Sequence, residues 1–229
     1  MHTVRKLLSG GGMTVLGALE KPARPEALRE LIDCWTLDAT RAAPQRPART
    51  ITPAELHAAT ERDEWVLHYQ PKVDLQTGAL VGAEALVRWN HPSHGLLYPD
   101  GFIGAAEECG AIDAVTDWVM RQAMGQLARW TAVGLPIRVA INLSMDNLRA
   151  ADFARRADTI AREAGVSPQD VTLEITESGA MSPSPEPLES LVRLRLQRFK
   201  LSIDDFGTGH SSLAQLRDVP FTELKIDRG

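Results

Sequence analysis

The chain has 229 residues, 44% of them apolar and 24% charged, with a formal net charge of -5. That apolar fraction supports a packed core and excludes disorder as the organising state, while the negative balance excludes a general basic surface and so a nucleic-acid polymer or an anionic membrane as main partner. No apolar run approaches the about 20 residues that span a bilayer, and Met1-His2-Thr3-Val4-Arg5-Lys6 leads into no signal-peptide core, so a cytoplasmic protein is expected.

The first 40 residues read as a strand, a turn and a helix. Met13 to Leu19 is a short apolar run ending at Glu20-Lys21-Pro22, and Pro25 to Ile32 has proline at a helix start with apolar residues at helical spacing. Residues 41–51 are rich in Ala, Pro, Gln and Arg without apolar periodicity and read as a linker. A second domain, 52–229, opens on Thr52 with Glu55 three residues later, the signature of a capping box. Trp65 to Asp74 and Ala79 to Trp89 are strand-like and are separated by Leu75-Gln76-Thr77-Gly78, which predicts an antiparallel hairpin. Helical and strand patterns then alternate: helices over 113–132, 152–164 and 187–196, and strands over 138–142, 171–176, 201–205 and 223–227. Such alternation predicts an α/β fold of parallel strands covered by helices. Six strands after the linker fall two short of a closed eight-stranded barrel, so a chain lacking its last two strands is expected. The two cysteines, Cys34 and Cys109, lie in helical segments without a Cys-x-x-Cys spacing and read as buried structural thiols.

Acidic or amide side chains recur at the ends of successive strands: Glu84, Asn142, Glu174 with Glu177, and Asp204 with Asp205. Any one of them could simply cap a helix or sit at a solvated strand end. Parallel barrel strands, however, bring their ends to one face, and several oxygen donors meeting there without histidine or cysteine suit a hard cation, magnesium or manganese rather than zinc. Asp204-Asp205 is the most informative pair, because two adjacent acids closing the run Leu201-Ser202-Ile203 are costly to desolvate unless a cation or several donors hold them. Phe206-Gly207-Thr208-Gly209 follows as a glycine-bearing loop able to approach a ligand. Alternation points Lys225 opposite to Leu224 and Ile226, inward in a barrel, where its ammonium needs carboxylate partners. Arg88 shares the strand parity of Glu84 and suits a phosphate clamp. Spacing thus supports metal-assisted hydrolysis of a phosphate ester, in its sharper form with two metals, and leaves the substrate open.

At these positions the chain resembles the EAL family of cyclic di-GMP phosphodiesterases. The likeness runs from about Thr52 to the end through seven strings in the family's order: Tyr69-Gln70-Pro71, Glu84-Ala85-Leu86, Pro99-Asp100-Gly101-Phe102-Ile103, Asn142-Leu143-Ser144, Glu174-Ile175-Thr176-Glu177, Asp204-Asp205-Phe206-Gly207-Thr208-Gly209 and Leu224-Lys225-Ile226-Asp227. The resemblance implies a modified TIM-type (β/α)8 barrel with an antiparallel first hairpin. It implies that Glu84, Asn142, Glu174 and Asp204 bind one Mg2+ or Mn2+, with Asp205 serving a second. Lys225 would help hold the attacking water, Arg88 would bind substrate phosphate, Gln70 and Leu86 would lie along the substrate, and Glu177 would anchor the loop from Phe206 to Gly209. The product implied is linear pGpG, in bacterial second-messenger signalling.

The family also continues past Lys225 with two strands that carry a further metal-site glutamate and a water-positioning glutamine, neither found here, so this chain itself is expected to lack part of the site. Pro220 is followed by Phe221 and Thr222 where the family usually has an aspartate two residues on, and Gly229 stands where a larger residue is usual. The first 40 residues resemble the last strand and helix of a response-regulator receiver domain, with Lys21-Pro22 as its lysine-proline pair. That likeness implies an upstream histidine kinase, and the family implies a possible homodimer. The competing readings are a catalytically inactive EAL module that binds cyclic di-GMP or a protein partner, and a metal-dependent hydrolase of another phosphodiester.

Overall fold

The computed structural model describes residues 51–176, 185–206 and 220–226, all within one unit, 51–229. The expected receiver-like segment, most of the linker, Cys34, Glu177, Gly207, Thr208, Gly209 and the side chain of Asp205 lie outside the described residues.

Helix α1 (Pro53–Glu61) starts as the sequence predicts. The Thr52 hydroxyl accepts from the Glu55 amide and the Glu55 carboxylate accepts from the Thr52 amide, so two otherwise orphaned donors are satisfied reciprocally. Strands β1 (Trp65–Val73) and β2 (Leu80–His91) form the antiparallel hairpin, with Gln70 opposite Glu84 and Lys72 opposite Gly82. At its turn the Asp74 carboxylate accepts from the amides of Gln76 and Thr77 and from the Thr77 hydroxyl, and Gly78 takes the positive φ (69°) that closes the reversal.

Strand β3 (Gly95–Leu97) pairs antiparallel with the end of β2. Its three residues carry no periodicity from which a sequence could announce a strand. Helices α2 (Ile103–Glu108) and α3 (Ile112–Ala132) follow. The latter buries Ile112, Val115, Val119, Met120, Ala123, Met124 and Leu127, a stripe at three- and four-residue spacing against the sheet. Cys109 caps the end of α2 and is exposed, correcting the expectation of a buried thiol. The helix runs out at that position, and Gly110, with φ 74°, turns the chain toward α3 at the surface.

Parallel strands then succeed one another: β4 (Arg138–Asn142), α4 (Met145–Arg149), α5 (Phe153–Ala164), β5 (Val171–Thr176), α6 (Pro185–Leu196), β6 (Lys200–Phe206) and β7 (Glu223–Ile226). The sheet order is β1-β2-β4-β5-β6-β7, with β3 off this path and paired to the end of β2 on the edge away from β1. Residues 171–175 of β5 are all buried, which is the mark of a parallel strand covered on both faces. The fold is α/β with a parallel sheet as predicted, and all six predicted strands are present among the seven described. Below the hairpin, Trp65, Trp89 and Phe102 pack with ring centroids 5.0 to 5.8 Å apart. Among the described residues no helix is long and apolar enough to cross a membrane.

Candidate active site

Strand pairing carries the acidic side chains to one place. The parallel registers set Glu84 beside Ala140, Asn142 beside Glu174, and Thr176 beside Asp204, so Glu174 stands two residues further along than Glu84 and Asp204 two further again, all on one face. One carboxylate oxygen from each of Glu84, Glu174 and Asp204 falls within 4.8 Å of the others. Such a group repels itself unless cations hold it. Lys225 of β7 supplies one, its ammonium lying 3.1 Å from Glu84 Oε2, 2.8 Å from Glu174 Oε2 and 2.8 Å from Asp204 Oδ2. The inward direction read from strand alternation is the one the structure has. Asn142 Nδ2 donates to the remaining Glu84 oxygen at 2.9 Å.

Glu174 is the most buried of the group, with no exposed side-chain surface. Burial raises its pKa above the usual carboxylate value; hydrogen bonds from Lys225 and Lys72 oppose that rise and the charge of Glu84 adds to it. Burial pulls the Lys225 ammonium toward losing its proton, but hydrogen bonds to Asp204 and Glu174 and the charges of Glu174 and Glu84 outweigh it. Its pKa stands well above the ordinary lysine value. The cluster therefore already accommodates a cation, and its donors are carboxylate and amide oxygens of the kind that bind magnesium or manganese. The residues present fit such an ion.

The remaining predicted residues lie around this centre. Gln70 is exposed on β1 opposite Glu84. Leu86 and Asn142 line a cavity of about 490 Å³ whose other walls include Ile103, Val115 and Thr176. Arg88 is not joined to the carboxylates. Its Nη1 donates to the Val87 carbonyl at 2.7 Å and its guanidinium lies 4.7 Å from the centre of the Tyr98 ring, with Nε buried and without a partner among the described residues. Phe206 ends β6 in register with Ile226. Asp205 lies on β6 beside Asp204.

Two residues escaped the sequence reading. Lys72 of β1 donates to Glu174 Oε1 at 2.7 Å. Its signal was available, because it has the same strand parity as Gln70 and so shares its face. Tyr98 lies just beyond the short β3, and no spacing links it to Arg88.

The EAL domain profile matches residues 54–229. The bifunctional diguanylate cyclase/cyclic di-GMP phosphodiesterase MucR of Pseudomonas aeruginosa is 41% identical over 176 residues, covering 76% of this chain and 26% of that protein. The cyclic di-GMP phosphodiesterase RocR of the same organism is 35% identical over 223 residues, covering 95% of this chain and 56% of its own length. The chain thus spans between about a quarter and about half of these relatives. A solved c-di-GMP complex of the PaMucR phosphodiesterase superposes with a TM-score of 0.72 at 41% identity, covering 77% of this chain and 72% of the other. The FimX EAL domain from Pseudomonas aeruginosa, at 22% identity and a TM-score of 0.69 over 76% of this chain and 70% of its own, shares the fold. With a cluster of three acids from three strands inside a profile match running from residue 54 to the last residue, the chain belongs to the EAL domain family.

Proposed function

We propose that this chain is the phosphodiesterase portion of a signalling protein that hydrolyses cyclic di-GMP to linear pGpG. The observation that carries the reading is the meeting of Glu84, Glu174 and Asp204 within 4.8 Å, from three different strands, with Asn142 and Lys225 hydrogen-bonded into the same group. The names of the relatives at 35 to 41% identity supply the substrate class.

Glu84, Asn142, Glu174 and Asp204 would hold one Mg2+ or Mn2+, with Asp205 serving a second. Such ions, when bound, polarise phosphoryl oxygens and make a water acidic enough to attack at neutral pH. The chain's own residues supply the rest. Arg88 offers a planar fork for a phosphate, and stacking on Tyr98 leaves its remaining donors for that use. Leu86 presents an apolar wall of the adjoining cavity to a nucleobase, and Gln70, beside Glu84, lies along the same ligand. Lys225, protonated throughout the physiological range, would help to hold the attacking water once its carboxylate partners turn to a metal. Water adds across one phosphodiester P–O bond, its oxygen to phosphorus and a proton to the departing 3′ oxygen. Glu177 and the loop from Phe206 to Gly209 belong to the same reading as an anchored wall of the site. The first 40 residues are read as a receiver remnant through which a histidine kinase acts; the RocR match, reaching 95% of the chain, extends into this segment and supports a shared upstream region. A homodimer rests on the family likeness alone.

The test is chromatography of the nucleotides formed from cyclic di-GMP by the full chain with Mg2+ or Mn2+. Formation of pGpG is expected, lost on chelation and reduced by about 100-fold or more in Glu84→Ala, since a metal ligand counts for at least as much as the groups that orient it. Binding without cleavage would instead identify an inactive module, and cleavage of other phosphodiesters alone would withdraw the substrate assignment.

A further inference from the structure

Glu174 is gripped by two ammonium groups from opposite ends of the sheet. Lys225, on β7, takes Oε2 at 2.8 Å; Lys72, on β1, takes Oε1 at 2.7 Å. The two lysines are not equivalent. Lys225 also reaches Glu84 and Asp204 and so sits at the centre of the carboxylates. Lys72 stands opposite Gly82, one pleat deeper in the sheet than Glu84, and reaches Glu174 from below, where both lysines line a cavity of about 350 Å³ with Val139 and Thr172.

That placement divides the Glu174 carboxylate. Oε1 is occupied by Lys72 on the interior side, and Oε2 is the oxygen that faces Glu84 and Asp204. A fully buried carboxylate fixed at one oxygen has little freedom to rotate, so a cation held by the three acids meets a single Glu174 oxygen. This distinction matters among divalent ions. Mg2+ demands near-octahedral single-oxygen ligation, and Mn2+ shares its preference for hard oxygen ligands, whereas Ca2+ is larger and readily takes both oxygens of a carboxylate.

We propose that Lys72 is a positioning residue that holds Glu174 to one-oxygen ligation and thereby biases the acidic cluster toward small divalent ions against calcium. The inference rests on the reading of this cluster as a metal site. Removing the Lys72 charge also relieves repulsion of any bound cation, but that effect is common to all divalent ions and cancels in a ratio of affinities. The ratio is therefore the quantity that reports on positioning.

The experiment is calorimetric titration of the full chain with Mn2+ and separately with Ca2+, for the wild type, Lys72→Met, Lys72→Ala and Lys72→Arg. Freeing a group that orients a ligand typically changes affinity 10- to 100-fold, so the Mn2+ to Ca2+ affinity ratio is expected to fall about tenfold in Lys72→Met and Lys72→Ala. Lys72→Arg, which keeps a cationic donor, is expected to retain the wild-type ratio. An unchanged ratio in either the methionine or the alanine variant, while the wild type binds Mn2+, overturns the role of Lys72 and leaves the metal site standing. A wild type that binds neither ion overturns both.

Discussion

Arg156 shows how one side chain sets the value of several others. It lies between α3 and α5, with Nη2 at 3.0 Å from Asp113, Nε at 3.2 Å from Asp117 and Nη1 at 2.7 Å from Asp152. Asp113 also accepts from the fully buried Asn147, whose Oδ1 in turn accepts from Thr116 and from the Ser144 amide, two residues beyond Asn142. Burial lifts the Asp117 pKa above its ordinary value even against Arg156, so this carboxylate depends on its partner. Removing the arginine leaves three aspartates facing one another partly buried. Arg156→Ala is expected to destabilise the chain by about 2 kcal/mol, a loss of roughly 4–8 °C in thermal midpoint for a unit of this size. Thermal unfolding followed by circular dichroism checks it; an unchanged midpoint would reduce the network to solvated surface pairs. Residues of this kind were illegible in the sequence, because each acid reads there as an ordinary exposed helix residue. Glu84, Glu174, Asp204 and Lys225 were legible for the opposite reason: a charged residue inside or closing an apolar strand has few harmless explanations. Lys72 is the instructive failure, since Val73 alone did not make its run apolar enough to render a lysine conspicuous.

At the scale of elements, what could be read were those with a period or a punctuation mark. The capping box at Thr52, the hairpin about Gly78 and the stripe of α3 each have one, as does the five-residue α4, which Ser144 and Asn147 cap reciprocally; β3 alone of these is fixed by tertiary pairing. The contact between β2 and β4 shows such pairing at its tightest. Gly82 lies beside Arg138, and a Cβ built there would stand 3.1 Å from the Arg138 carbonyl oxygen. That oxygen belongs to the backbone and cannot swing aside. Gly82→Ala must therefore push the strands apart two residues before Glu84, at an expected cost of about 1–3 kcal/mol, as for other overpacked interiors. Hydrogen exchange at the amides of residues 138–141 should accelerate with the loss of global stability. Unaltered exchange there would mean that the parallel pair yields without strain.

Across the whole molecule, Lys72 and Lys225 come from the two ends of the strand order yet reach the same carboxylate, so the sheet curls until its first and last described strands approach across the interior. The curl, more than any local motif, makes three acids, an amide and two ammonium groups into one site, and it could be anticipated only from the alternation of strands and helices as a whole. Lys225 then stands where a metal cation would be attracted, and the two compete for the same oxygens. Lys225→Met leaves the carboxylates with less compensation. The metal-free chain is expected to lose about 3–5 kcal/mol, the usual consequence of stripping one partner from a largely buried ion group. Because the folded pKa of Lys225 is raised, its stabilising contribution is fully present below the ordinary value of 10.5 and is lost only as pH rises through the higher folded value. The wild-type advantage over Lys225→Met should accordingly be flat between about pH 7 and 10 and shrink beyond. Added Mn2+ should recover more stability in the variant than in the wild type, where it must first displace the ammonium. Denaturant unfolding with and without Mn2+ across that pH range decides the matter: an equal metal response in both proteins would mean that lysine and metal occupy separate places in the cluster.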